Sequence, residues 1–408
     1  MSRINVENGM RVSGFGLRAM AFAAMLAPCA LFAGNWTLSG GVLTSSDGQW
    51  SFSGASRSGT TLTVGACTSA AADGILDFRD IYVGSTKITS LKTTNNAWKT
   101  AAIKEFYCDC LNYLGQGLFA DNTTLEKFHV TTSSCRSVNI NTFSGCTSLK
   151  HCVFENCQPT TFLASCFKGC TALESDVADI VSPNTTAVNA NAFQNCRKLK
   201  GCLVLNRLSG AILGYIFNNT GIQELRLCSD SVTAIKSASC FAGCTSLTNV
   251  VISSANLTDV AYTGKPFSDN TALEAVTFNL PNLRSISTSA QARMFNNCSS
   301  IKKVTILNEP WQDASGNDIA ETFLSREVLY SVGAVAATTD KAKKCTVYAL
   351  RKDWKNQPYV SPLTGDYEPK YKPPKCYGVY VASTGSAGRK AYMAQLPDYR
   401  PGFIISAK

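Results

Sequence analysis

Two histidines, His129 and His151, and 18 cysteines are the residues best equipped for chemistry in this 408-residue chain. Histidine can act as a general base or hold a metal, and a thiolate can do nucleophilic, redox or metal work. Their spacing does not assemble a catalytic motif. The sequence contains no Gly-x-Ser-x-Gly elbow, P-loop or dinucleotide fingerprint. Cys108-Asp-Cys110 lacks the two-residue gap of common zinc and redox motifs. His129 and His151 fall on outward positions of neighbouring strands, which places His129 diagonal to both His151 and Glu155. Such a patch can hold a metal weakly; the plainer reading is a solvated strand face. The residues therefore predict no catalytic group, no cofactor and no metal centre.

The strands that carry these residues belong to a repeated unit. Between about Leu118 and Ile306 one phrase recurs: an aromatic, two small or polar residues, a Cys, Asn or Thr, then Leu-x-x-apolar-x-apolar. Its aromatics are Phe119, Phe143, Phe167, Phe193, Phe217, Phe241, Phe267 and Phe295, separated by 24, 24, 26, 24, 24, 26 and 28 residues. A fixed period of this size predicts a solenoid whose coils close one another's cores. Alternation at Leu247, Val250 and Ile252 suits a short strand with its apolar residues inward. Three residues after each Phe stand Asn122, Cys146, Cys170, Cys196, Thr220, Cys244, Asn270 and Cys298. These share small size and hydrogen-bonding ability, which predicts a buried structural column rather than a metal or disulfide array. One copy departs after Leu173, where Asp176 replaces an apolar residue, so that coil should be distorted. The Phe217 copy is one residue short, which moves its apolar positions to Ile222, Leu225 and Leu227.

The phrase Phe-x-x-Cys-Thr-Ser-Leu-x-x-Val-x-Ile at Phe241–Ile252 resembles the BspA-like leucine-rich repeats of bacterial and protozoan surface proteins. The resemblance covers roughly half the chain. It implies an α/β-type repeat solenoid with short parallel strands; the residues outside the repeats add a β-rich N-terminal cap and, from Tyr377–Val381 onward, a small C-terminal β unit. It also implies adhesion, with extracellular-matrix proteins as the ligands of the family.

Outside the repeats, residues 1–33 read as a signal peptide, with Arg3, Arg11 and Arg18 before an apolar run from Ala19 to Phe32. Residues 34–86 read as a β-rich N-terminal cap, through Trp36–Leu38, Val42–Leu43, Trp50–Phe52 and Thr61–Val64. The solenoid is expected over 87–310, with Ile88–Leu91 and Ile103–Cys108 as degenerate early coils. Residues 311–357 read as a C-terminal repeat cap, and 358–408 as a Pro-rich linker with a small basic unit. No later segment has the roughly 18 unbroken apolar residues of a membrane helix. Length differences between repeats collect between Val188, Val260 or Ile286 and the next Phe.

From Asp340 to Lys408 there are 13 Lys and Arg against 5 Asp and Glu, which supplies +8 of the formal +10. That end reads as a solvated basic surface or as an attachment to an anionic surface. Export points away from nucleic acid and toward disulfides. Repeat register, however, assigns Cys146, Cys152, Cys166, Cys170, Cys196, Cys202, Cys240, Cys244 and Cys298 to buried positions, where a thiol acts as a small hydrophobe. Cys67, Cys108, Cys110, Cys135, Cys157, Cys228, Cys345 and Cys376 leave pairing open. The outward strand positions include His129, His151, Val153, Leu203, Arg226, Val251, Thr277 and Thr305. With Glu155, these form the expected recognition face of a secreted or cell-surface binding protein for a protein or glycan. The alternative is a structural envelope or surface-layer component that self-associates.

Overall fold

A computed structural model describes residues 35–319, apart from 132–133, 157, 236–238, 261–263, 287–293, 307–312 and 317–318, together with 346–349. The expected signal peptide, the Pro-rich linker, the basic end and most of the length variation lie outside the described residues.

The repeat aromatics form one buried row. Phe119, Phe143, Phe167, Phe193, Phe217, Phe241, Phe267 and Phe295 are each fully buried. Neighbouring rings stack with centroids 4.7–6.0 Å apart and planes within 19° of parallel. Burying one such ring is worth roughly 1.5–3 kcal/mol, and ring pairs add about 0.5–1.5 kcal/mol. Trp98 extends the row by one place. It is fully buried, meets Phe119 edge-on at 5.3 Å, and its Nε1–H donates to Gly65 at 2.9 Å. Its spacing of 21 residues and different residue type hid it from the pattern.

Backbone hydrogen bonding explains why each coil turns at the aromatic. The amides of Asn141, Phe143 and Gly145 donate to Ala164, Cys166 and Lys168 of the next coil at 3.1, 2.8 and 2.8 Å. The amides between them stay in their own coil, Ser144 to Asn141 and Cys146 to Phe143, both at 3.1 Å. The same alternation recurs around Phe119, Phe167 and Phe193. Pointing alternate amides out of the coil requires left-handed residues. Asn141, Ser165, Asn191, Tyr215 and Ser239, two before the aromatic, have φ of 52–60°. Asp121, Gly145, Gly169, Asn195, Asn219, Gly243, Asp269 and Asn297, two after it, have φ of 55–77°. Asn, Asp and Gly tolerate that region best. At Gly243 a Cβ would also meet Asn219 Oδ1 of the preceding coil at 2.1 Å.

This alternation corrects the expected α/β class. Amides committed to the next coil cannot make the i→i−4 bonds of an α-helix. Among the described residues the chain has no α-helix, and one 3-10 turn at Val177–Asp179. The architecture is a β-solenoid. One parallel ladder runs through Ile75–Phe78, Glu105–Cys108, Lys127–Val130 and His151–Phe154. Another runs through Cys202–Leu205, Glu224–Cys228, Asn249–Ser253, Ala275–Asn279, Lys303–Ile306 and Thr346–Ala349. Shorter strands make three further parallel ladders, which run from Thr61–Val64 through Ser90–Thr93 to Leu111–Tyr113, from Ser137–Val138 to Ala187–Val188 and from Gly210–Ile212 to Ser285–Ile286. The first ladder begins at Ile75, inside the stretch expected as a cap. Within the rest of that stretch, Ser56–Ser58 pairs antiparallel with Thr61–Val64, and the other strands join a mixed six-stranded sheet, in which Trp36 and Phe52 pack through Phe78 and Trp98 onto Phe106.

The break between the two main ladders falls where Asp176 sits. Its carboxylate accepts from the Ala178 amide at 3.0 Å and caps the 3-10 turn, so only an isolated bridge to Lys200 remains. The next coil absorbs an extra residue at Gly201, at φ +98°, where any Cβ would meet the Asp176 carboxylate at 2.3 Å. That insertion shifts the following strand by one place and reverses two expected positions. Leu203 points inward and is fully buried, and Cys202 is the outward, half-buried residue. The short Phe217 copy restores the register: Ile222, Leu225 and Leu227 are buried as its shortened spacing requires.

The column after the aromatics is buried throughout. Cys146, Cys170, Cys196, Cys244 and Cys298 each reach back one coil, and the thiol donates to the preceding Phe carbonyl at 3.0–3.1 Å. Thr220 donates to the carbonyl of Phe217, and Asn270 donates to that of Phe267 and accepts the Cys244 amide. Asn122 donates to the carbonyls of Trp98 and Ala101. Cys170→Ala should lower unfolding stability by about 1–2 kcal/mol in urea titrations, with Cys170→Thr costing less. Burial pushes the Cys244 thiol up to about 11 and that of Cys298 to about 12. In the unfolded chain these thiols ionise near about 8.5. Their folded pKa is the higher one, so their contribution is complete below the unfolded value and is lost as pH rises from there through the folded pKa. The unfolding free energy from urea titrations should therefore fall between pH 8 and 10, by up to roughly 1.4 kcal/mol per pH unit per thiol, and less steeply in Cys244→Thr.

Candidate functional site

Outward side chains of the parallel ladders stand in straight rows, because residues in register repeat at each strand. On the first ladder, Glu105, Lys127 and His151 share one row, and Asp77, Tyr107, His129 and Val153 share the next. These groups largely engage one another. Arg79 forms a two-point pair with Asp77 and lies over the Tyr107 ring at 4.6 Å. Lys127 Nζ stands 4.9 Å from the centre of the same ring, and the Tyr107 hydroxyl donates to Glu105. Tyr107 is buried beneath these cations.

The two histidines face different carboxylates. His129 Nε2 lies 3.1 Å from Glu155 Oε2, and His151 Nε2 lies 3.7 Å from Glu174 Oε1. Register places His129 opposite Val153 and diagonal to His151, yet the rings diverge toward Glu155 and Glu174. Among the described residues, no group of three His, Cys, Asp or Glu side chains is arranged to hold a metal ion.

The second ladder is built of different residues. Its central row is Val204, Arg226, Val251, Thr277 and Thr305, flanked by Cys202, Glu224, Asn249, Ala275 and Lys303. Arg226 reaches Glu224 at 3.3 Å within its own strand. On the other flank Asn279 donates to Ser253 at 2.9 Å. Arg226, Val251, Thr277 and Thr305 therefore share one row, separated from His129, His151 and Glu155 by the Asp176 break. Arg79 and Tyr107 were missed at the sequence level because their strands precede the recognisable repeats. Their signal was the apolar alternation of Leu76–Phe78 and Phe106–Cys108.

Stacked coils with this inward Leu-x-x-apolar-x-apolar pattern define a leucine-rich repeat solenoid. A family model described as the BspA type leucine rich repeat region matches in six copies, over residues 91–220 and 174–302, just over half of the chain. The chain belongs to that family. It is similar in structure to a leucine-rich repeat protein from Bacteroides ovatus ATCC 8483, with 15% identity over 63% of this chain and 80% of that one (TM-score 0.30). A leucine rich cell surface protein from Faecalibacterium prausnitzii A2-165 matches with 12% identity over 65% of this chain and 85% of that one (TM-score 0.36). No curated protein matches the chain. Among the described residues, no helix is long and apolar enough to cross a membrane.

With the imidazoles turned apart, zinc should shift the melting temperature of wild type and of His129→Ala equally. A zinc-dependent stabilisation lost in His129→Ala would reinstate a metal patch.

Proposed function

We propose that the chain is an exported, non-enzymatic binding protein that presents its strand ladders to a protein or glycan ligand at or near a cell surface. One observation carries this reading: the central row of the second ladder is long, regular and nearly neutral. Its side chains step at the strand spacing of about 4.8 Å, which suits an extended partner. Arg226 is the single charge in that row, and its own Glu224 offsets it. On the first ladder the charges are engaged by one another, which favours a structural part for many of them. Membership of the BspA-type repeat family supports adhesion, and the Arg-flanked apolar run at residues 19–32 supports export. A scaffold does not choose its own ligand, so the partner must be found by experiment.

The test is a screen of residues 34–408 against glycans and extracellular-matrix proteins, repeated with Val251→Arg. A bulky cation in the middle of the row should weaken binding at least about tenfold, roughly 1.4 kcal/mol, with no change in unfolding midpoint. Binding that survives Val251→Arg would move the site elsewhere. Ordered self-association in gel filtration, without any ligand, would favour an envelope component instead.

A further inference from the structure

We propose that Cys108 and Cys110 form a reversible dithiol–disulfide pair, a redox site at the exit of the strand Glu105–Cys108. Their sulfurs lie 4.0 Å apart, and the Cys110 amide donates to Cys108 Sγ at 3.5 Å. Cys108 is fully buried, while Cys110 is half-buried at the edge of the core. Cys110 is therefore the member of the pair nearer to a solvent-borne reagent, with the Cys108 sulfur beside it. This arrangement differs from the column thiols, which are sealed in the core and turned to backbone carbonyls.

The backbone on both sides is held. The Cys108 carbonyl accepts the Thr131 amide at 3.0 Å, and that of Cys110 accepts the Leu91 amide at 2.7 Å. Asp109, between them, accepts the Asp80 amide at 3.0 Å. With the backbone held, closure from 4.0 Å to the S–S bond length of about 2.05 Å has to come from rotation of the two side chains. A loop of three residues gains little chain entropy from closure, so the bond serves reversible chemistry better than stability.

The oxidant is a disulfide, R–S–S–R, of the glutathione or oxidoreductase kind present where exported proteins fold. Cys110 loses its proton and attacks one sulfur; the Cys110–S–R bond forms, and R–S⁻ departs and takes up a proton. Cys108 then loses its proton and attacks Cys110 Sγ, which forms the Cys108–Cys110 bond and expels the second R–S⁻. The dithiol gives up two electrons and two protons, and R–S–S–R becomes two R–SH. Burial pushes the Cys108 thiol up, so the second step is the slower one. The pair depends on neither the ligand nor the ladder reading, and rests on the export reading only for the source of its oxidant.

The full chain is equilibrated with oxidised glutathione, then with excess reduced glutathione, and at each stage is quenched, alkylated in denaturant and mapped by peptide mass. The peptide holding both cysteines should carry no alkyl group and weigh two hydrogens less than the dithiol in the first buffer, and carry two alkyl groups in the second. Cys108→Ser should instead trap glutathione on Cys110. If that variant misfolds, the wild-type map alone decides. Two alkylated thiols in the oxidised buffer, or a lasting glutathione adduct on wild-type Cys110, would overturn the proposal.

Discussion

Everything in this molecule follows from how a coil disposes of its amides at the aromatic turn. Each buried N–H must find an acceptor, and an orphan costs about as much as a lost hydrogen bond. Here alternate amides are handed to the next coil and the others are kept. That choice fixes the left-handed residues on either side of the Phe and holds neighbouring coils at strand spacing. It leaves the rings face to face at 4.7–6.0 Å. The column thiols complete the arrangement by adding a second donor to the preceding Phe carbonyl. Stacking is therefore not an extra interaction between finished units; a coil without its neighbour lacks its acceptors as well as its core.

What could be read from the chain beforehand reflects which of these demands leave a residue-level mark. The Phe row was legible because a buried ring tolerates few substitutes, and the column because its Cys, Asn and Thr share small size and hydrogen-bonding ability. The distortion at Asp176 was legible because a carboxylate cannot replace an inward apolar residue. The absence of an α-helix among the described residues was not legible. Asn, Asp, Ser and Gly two residues from the Phe read as ordinary turn residues, and their shared left-handed backbone emerges only with coordinates. Leu203 was misplaced for a related reason: one extra residue at Gly201 changes the register, and spacing alone does not show where the slip is absorbed.

The candidate site was legible in its rows and obscure in its contacts. Alternation placed Arg226, Val251, Thr277 and Thr305 on a common face, and register aligns them strand by strand. It could not reveal that Arg79 and Lys127 close over Tyr107, because Arg79 follows a strand ahead of the clear repeats. Nor could it show the imidazoles turning to Glu155 and Glu174, which is a matter of side-chain rotation rather than of position.

The two ladders differ because the chain interrupts itself between them. Continuous pairing from His151–Phe154 into Cys202–Leu205 would have required an apolar residue at 176 and no insertion at 201. With Asp176 capping a 3-10 turn instead, the sheet ends and restarts one place out of step. A break of this kind costs ladder hydrogen bonds, yet it allows each face its own chemistry. On one side, charges settle on each other around Tyr107. On the other, small neutral side chains stand in file with one compensated charge among them. The separation lets the same solenoid carry a charged row and a nearly neutral one without either dictating the residues of the other.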